Sequence, residues 1–230
     1  MSPATGTRTT TTRTSAPVRD DVHVRRRAGA LTAWERRSAL TAGVALLVMA
    51  GLGFAAVTLL DRGGSAVDAG VAFIAIALLD VLVGCALHGL LRDRAAAPAH
   101  AVIVSRVGYA VLLAWSAALL LAHPDDGVAA FRVDWSSALL VFGLHLVIVA
   151  VALWRARLAP LLVRLATGAA GAAYLLDGAL ERFTDVGWRG ALVPLMLGEV
   201  VLALWLVWAG RPSVRRRGAR PEGSHARHTG

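Results

Sequence analysis

Lysine is absent from this chain, and cysteine occurs once. A lone Cys85 excludes an internal disulfide and any cysteine-based zinc site. Charge of either sign is scarce: charged residues make up 17% of the chain and hydrophobic residues 57%, and the mean hydropathy is +0.61. A soluble domain of 230 residues needs more charge than this to cover its surface. Catalytic signatures are missing as well. There is no phosphate-binding glycine loop, no HExxH and no GxSxG. His225-x-x-His228, in a basic tail, is too weak a pattern to bind a metal. The sequence therefore implies no cofactor, no metal and no catalytic residue.

What is present is arginine at the ends and long apolar runs between them. Residues 1–37 and 211–230 are polar and basic, and the run from Thr7 to Thr14 is low-complexity threonine and arginine. Such segments cannot bury enough apolar surface to fold, so both are expected to be disordered. The first tail and the apolar run after it are also too long for a cleaved signal peptide. Six apolar stretches lie between the tails, at 38–60, 69–91, 101–122, 135–154, 160–180 and 190–209. A helix crosses a hydrocarbon core of roughly 30 Å with about 20 residues, and backbone inside a bilayer must be hydrogen-bonded within its own segment. The expected fold is an all-α polytopic bundle of six transmembrane helices spanning 38–210. Trp34, Trp135, Trp154, Trp188 and Trp208 fall at segment ends, where an aromatic belt belongs.

Twenty of the twenty-four arginines fall in or beside the two tails, the 2–3 loop and the 4–5 loop. The opposite side holds Arg62, Arg132, Arg182 and Arg189. Basic residues concentrate on the cytoplasmic side of membrane proteins, so both termini are expected there. The arginine-rich tails fit anionic lipid headgroups, at about 1 kcal/mol per arginine near the surface. The bilayer is the nearest polyanion, and no nucleic-acid partner is expected.

Ionisable side chains at membrane depth are costly and mark sites worth explaining. Asp80, His145 and Glu199 sit near the middle of stretches 2, 4 and 6, which run in the same direction. They either share protons or hold a cation in the bundle interior, or each is neutral and ties helices together. Arg106, about one and a half turns inside stretch 3, either snorkels to the headgroups or pairs with Asp80. Arg164 lies nearer the edge and is expected to snorkel. Asp177 sits near the outer end of stretch 5, where it can cap the helix or pair with Arg182. Thr167, Gly171, Tyr174 and Gly178 share one face of stretch 5, a spacing that suits close helix packing, with a pocket wall as the other reading.

The second half of the chain carries a resemblance. Phe142-Gly143-Leu144-His145-Leu146, Ala170 through Asp177, and Gly198-Glu199 through Leu206 are similar to the DUF4386 family, bacterial multi-pass membrane proteins of unknown function. The likeness covers residues 38–210 by helix count and order. It implies that His145, Tyr174, Asp177 and Glu199 occupy the family's recurring polar positions, and that Arg106 and Gly108 fall in its third-helix arginine-and-glycine region. The segment from Arg155 to Pro160 departs from the family's turn before helix 5. Membership implies a location in the bacterial plasma membrane and supplies no reaction. The expected function is that of a small transporter or sensor using midplane ionisable groups. A structural or partner-binding subunit and a membrane-embedded enzyme built on His145 and Glu199 are the alternatives.

Overall fold

The computed structural model describes residues 31–183 and 194–212. Six helices appear among them: α1 (Ala33–Asp61), α2 (Ala66–Leu91), α3 (Ala96–Ala122), α4 (Val128–Ala156), α5 (Leu161–Phe183) and α6 (Gly198–Gly210). No strand occurs among the described residues. Runs of Leu, Val and Ala make the helices, and local chemistry sets their ends. Thr32 and Glu35 form a capping box at the start of α1. The Ser65 hydroxyl accepts from the Asp68 N–H at 3.1 Å at the start of α2. Gly63 turns the chain between them with φ +68°, a conformation glycine adopts without penalty.

Four helices, α1 to α4, are long and apolar enough to cross a membrane. Six such helices were expected, and four of them meet both criteria among the described residues. α5 has the length at 23 residues, but Arg164, Thr167, Asp177 and three glycines dilute its apolar character. The apolar helical stretch Pro194–Gly210 is shorter. Its expected start at 190 falls outside the described residues, as do Trp188 and Arg189, both tails through residue 30 and from residue 213, and the Arg182 side chain.

Helix boundaries differ from expectation in ways that matter for the site. α1 begins at Ala33, so residues 33–37 belong to the helix and not to the basic tail. The α1 start is held by Glu35, which is 3% exposed and binds Arg94 through both oxygens, at 2.8 and 3.2 Å. Burial works against ionising this carboxyl. Hydrogen bonds from Arg94 and Thr32 outweigh it and hold the pKa below the ordinary 4.5. α3 begins at Ala96, with Pro98 inside its first turn, where a missing N–H costs nothing. α4 begins at Val128, seven residues early, which draws Trp135 into the interior against Phe73, 5.6 Å between ring centroids. Trp135 is therefore not a belt residue, whereas Trp34, Trp154 and Trp208 are exposed.

The helices form a closed ring. Each packs on its neighbour in sequence, and α6 returns to pack on α1. Polarity is inverted relative to a soluble bundle. Phe54, Leu78, Val104, Leu144, Leu162 and Leu204 are exposed, one on each helix, while Asp80, Arg106 and His145 are at most 1% exposed. Glycines let backbones meet. A Cβ on Gly43 would lie 2.7 Å from the Val207 nitrogen, and one on Gly198 would collide with the Ala166 carbonyl. These contacts seat α6 between α1 and α5, with Glu199 beside the second of them.

Candidate functional site: a buried ion cluster beside a central cavity

Asp80, His145 and Glu199 each stand eleven residues before the last residue of their helices, Leu91, Ala156 and Gly210. Arg106 stands ten residues after Ala96, the first residue of α3, which runs the opposite way. At 1.5 Å per residue all four lie at one depth, roughly 15 Å from the same end of the ring. The extended α3 explains why Arg106 does not snorkel: its head would have to climb about three turns.

Arg106 pairs instead with Asp80, Nη2 to Oδ1 at 2.6 Å, with side chains 1% and 0% exposed. Gly84, one turn beyond Asp80, makes room. A Cβ there would lie 3.3 Å from the Arg106 Cβ, so glycine lets α3 bring its arginine flat against α2. The same Nη2 lies 3.8 Å from Oε1 of Glu199 on α6. The guanidinium also sits over Phe142 of α4, 4.9 Å from the ring centroid, a cation–π contact in a desolvated setting. Four helices thus converge on one cation.

His145 reaches the same level but not the ion pair. Its Nδ1 is 3.0 Å from the Ser105 hydroxyl, which also lies 2.7 Å from the Ala101 carbonyl oxygen and 3.1 Å from that of Val102. The buried Nε2 has no hydrogen-bond partner among the described residues. His145 is next to the cluster through Ser105 and Phe142, with ring centroids 6.3 Å apart in the second case. No hydrogen bond or ion pair joins His145 to Glu199 among the described residues. Neither is any group of three His, Cys, Asp or Glu side chains placed to hold a metal.

A cavity of about 140 Å³ occupies the middle of the ring, with lining from all six helices. Glu199 is its single charged wall residue among the described residues; Tyr109, Trp135, Phe142 and Tyr174 supply aromatic walls, and Phe73 and Leu113 apolar ones. This volume is room for several water molecules. Tyr174 crosses Phe142 edge-on at 5.0 Å. Both readings of the α5 face hold at once: Gly171 and Gly178 pack on α4, and Tyr174 forms cavity wall. Asp177, one turn beyond, does not line the cavity and makes no ion pair among the described residues. Trp135, Tyr109 and Ser105 are site residues that sequence reasoning missed. For Ser105 a signal existed, since it is the polar neighbour of Arg106. For Trp135 there was none without the true start of α4.

No protein-family model matches the chain, and no curated protein and no solved structure matches it.

Proposed function

We propose that the chain crosses a bacterial plasma membrane six times, with both termini in the cytoplasm, and works as a small transporter or sensor. In this reading Glu199 takes up and releases a proton or a small cation inside the central cavity. The observation that carries it is the unequal sharing of Arg106, which touches Asp80 at 2.6 Å and stands 3.8 Å from Glu199. Two carboxyls face one guanidinium, so one negative charge is surplus. The Glu199 side chain is 24% exposed, and the cavity it lines gives that charge access to a proton or cation that neutralises it. The inverted polarity of the ring and the arginine excess at its two termini and intervening turns support the topology. Kinship with the DUF4386 family belongs to the same proposal. The segments that carry that resemblance include Gly143 and Gly198, which make close helix contacts, and Glu199, which faces the cavity.

The full burial of Asp80 and Arg106 between α2 and α3 favours a second role for that pair, as a tie between helices. The two roles separate experimentally. In lipid nanodiscs, a pH titration of tryptophan fluorescence is expected to show a transition reported by Trp135. Glu199→Gln should abolish it and leave the melting temperature unchanged. If Glu199→Gln lowers the melting temperature and the transition persists, Glu199 is a structural tie and the transport or sensing reading fails.

A further inference from the structure

The outer face of the α4–α5 pair carries a trough that the central cavity does not explain. Its volume is about 620 Å³, and it lies between Val147, Ala150 and Val151 of α4 and Leu165, Gly168 and Ala172 of α5. The floor is shallow because it is built of small residues. A Cβ on Gly168 would touch Ala150 at 3.5 Å, so the two helices close beneath the trough without filling it. Along α5 it extends from Arg164 to Ala172, roughly 12 Å at 1.5 Å per residue.

One end of the trough changes character. Trp154, Arg155, Arg157 and Arg164 surround a second hollow of about 440 Å³ that shares Trp154, Arg155 and Arg164 with the first. The Arg164 guanidinium lies 4.6 Å above the Trp154 ring, which fixes its plane. Its Nε is buried and has no hydrogen-bond partner among the described residues. None of the three arginines forms an ion pair among the described residues, and no carboxylate lines either hollow. Arg157 is also the one non-glycine residue at positive φ among the described residues, at 52°. That left-handed turn ends α4 and folds the chain directly into α5, which brings Arg155 and Arg157 level with Arg164.

We infer that this is a binding site for one anionic glycerophospholipid, its phosphate held by Arg155, Arg157 and Arg164 and part of an acyl chain lying in the trough. Charge complementarity selects the occupant. Three uncompensated guanidiniums at one end call for a phosphate, since planar guanidinium donors match phosphate oxygens. An apolar channel continuous with them, on the face that meets hydrocarbon, calls for the chain attached to that phosphate. A zwitterionic lipid brings a cation that the three arginines repel, and a soluble phosphate leaves the trough unused.

Full-length protein in detergent, stripped of lipid, would be titrated with phosphatidylglycerol, phosphatidylcholine and inorganic phosphate. Native mass spectrometry counts bound molecules, and thermal melting gives the affinity. One phosphatidylglycerol per chain is expected to survive dilution and raise the melting temperature, with phosphatidylcholine and inorganic phosphate at least tenfold weaker. R155Q/R157Q/R164Q should weaken phosphatidylglycerol at least tenfold. R215Q/R216Q/R217Q, in the basic tail, should not. Gly168→Leu, which fills the trough and leaves the arginines in place, should weaken the lipid several-fold. Equal retention of phosphatidylcholine, equal stabilisation by inorganic phosphate, or loss of the lipid only in the tail variant would each overturn the assignment. If the triple variant does not fold, the three-ligand comparison on the unaltered chain and on Gly168→Leu decides the matter by the same criteria.

Discussion

Asp80 loses its hydration when α2 and α3 close over it, and Arg106 is the group that makes its charge tolerable. Removing one member of a buried pair leaves the other uncompensated and costs about 3–5 kcal/mol, whereas replacing both with apolar groups of similar volume is often neutral. Asp80→Leu and Arg106→Met are each expected to lower unfolding stability in detergent by that amount, and D80L/R106M to recover most of it. If the double variant falls by the sum of the single losses, the 2.6 Å contact carries no coupling. The pairing was one of two expectations for Arg106 in the sequence. What decided it was the start of α3 at Ala96, which no apolar pattern marked because Ala95 through Ala97 read equally well as loop. For His145 the sequence indicated a depth and left the company open. Depth follows from counting along a helix, but the direction of a side chain depends on which neighbour stands opposite, and here that is Ser105. Glu35 escaped attention although Thr32-x-x-Glu35 is a capping-box spacing, because it lies among arginines that read as a tail.

At the scale of elements, the α4–α5 contact depends on reciprocal glycines. A Cβ on Gly171 would lie 2.7 Å from the Gly143 carbonyl oxygen, and one on Gly143 would lie 2.9 Å from the Gly171 oxygen. Backbone cannot retreat as a flexible side chain does, so Gly171→Leu should separate the helices. Its cost belongs at or above the upper end of the roughly 1–3 kcal/mol typical of overpacking. A melting curve checks this, with Gly108→Leu as the control, since a Cβ at Gly108 meets nothing within 4 Å. Six helices in the expected order were legible from the apolar runs, and the packing role of the α5 glycines from their spacing. The ends were less legible. α4 takes in Val128 through Asp134 because that stretch is itself mostly apolar, with Phe131 1% exposed, and Arg132 finds a partner in Asp61 at 2.7 Å. The apolar character of α5 was overestimated because Arg164 and Asp177 were weighed singly and not together with its three glycines.

For the molecule as a whole, the ring places the α1 start against the α2–α3 turn through Glu35 and Arg94, and the α1 end against the α4 start through Asp61 and Arg132. Successive helices therefore alternate in direction. With basic turns on the cytoplasmic side, alkaline phosphatase fused after Gly63 should be active and a fusion after Leu91 inactive. Active enzyme after Leu91 would reverse the proposed orientation. The closing contact of the ring joins the first helix to the last. During synthesis the groove around Gly43 that receives Val207 stays unfilled until the ribosome has completed α6. A nascent chain that stops short of α6 leaves that seam open.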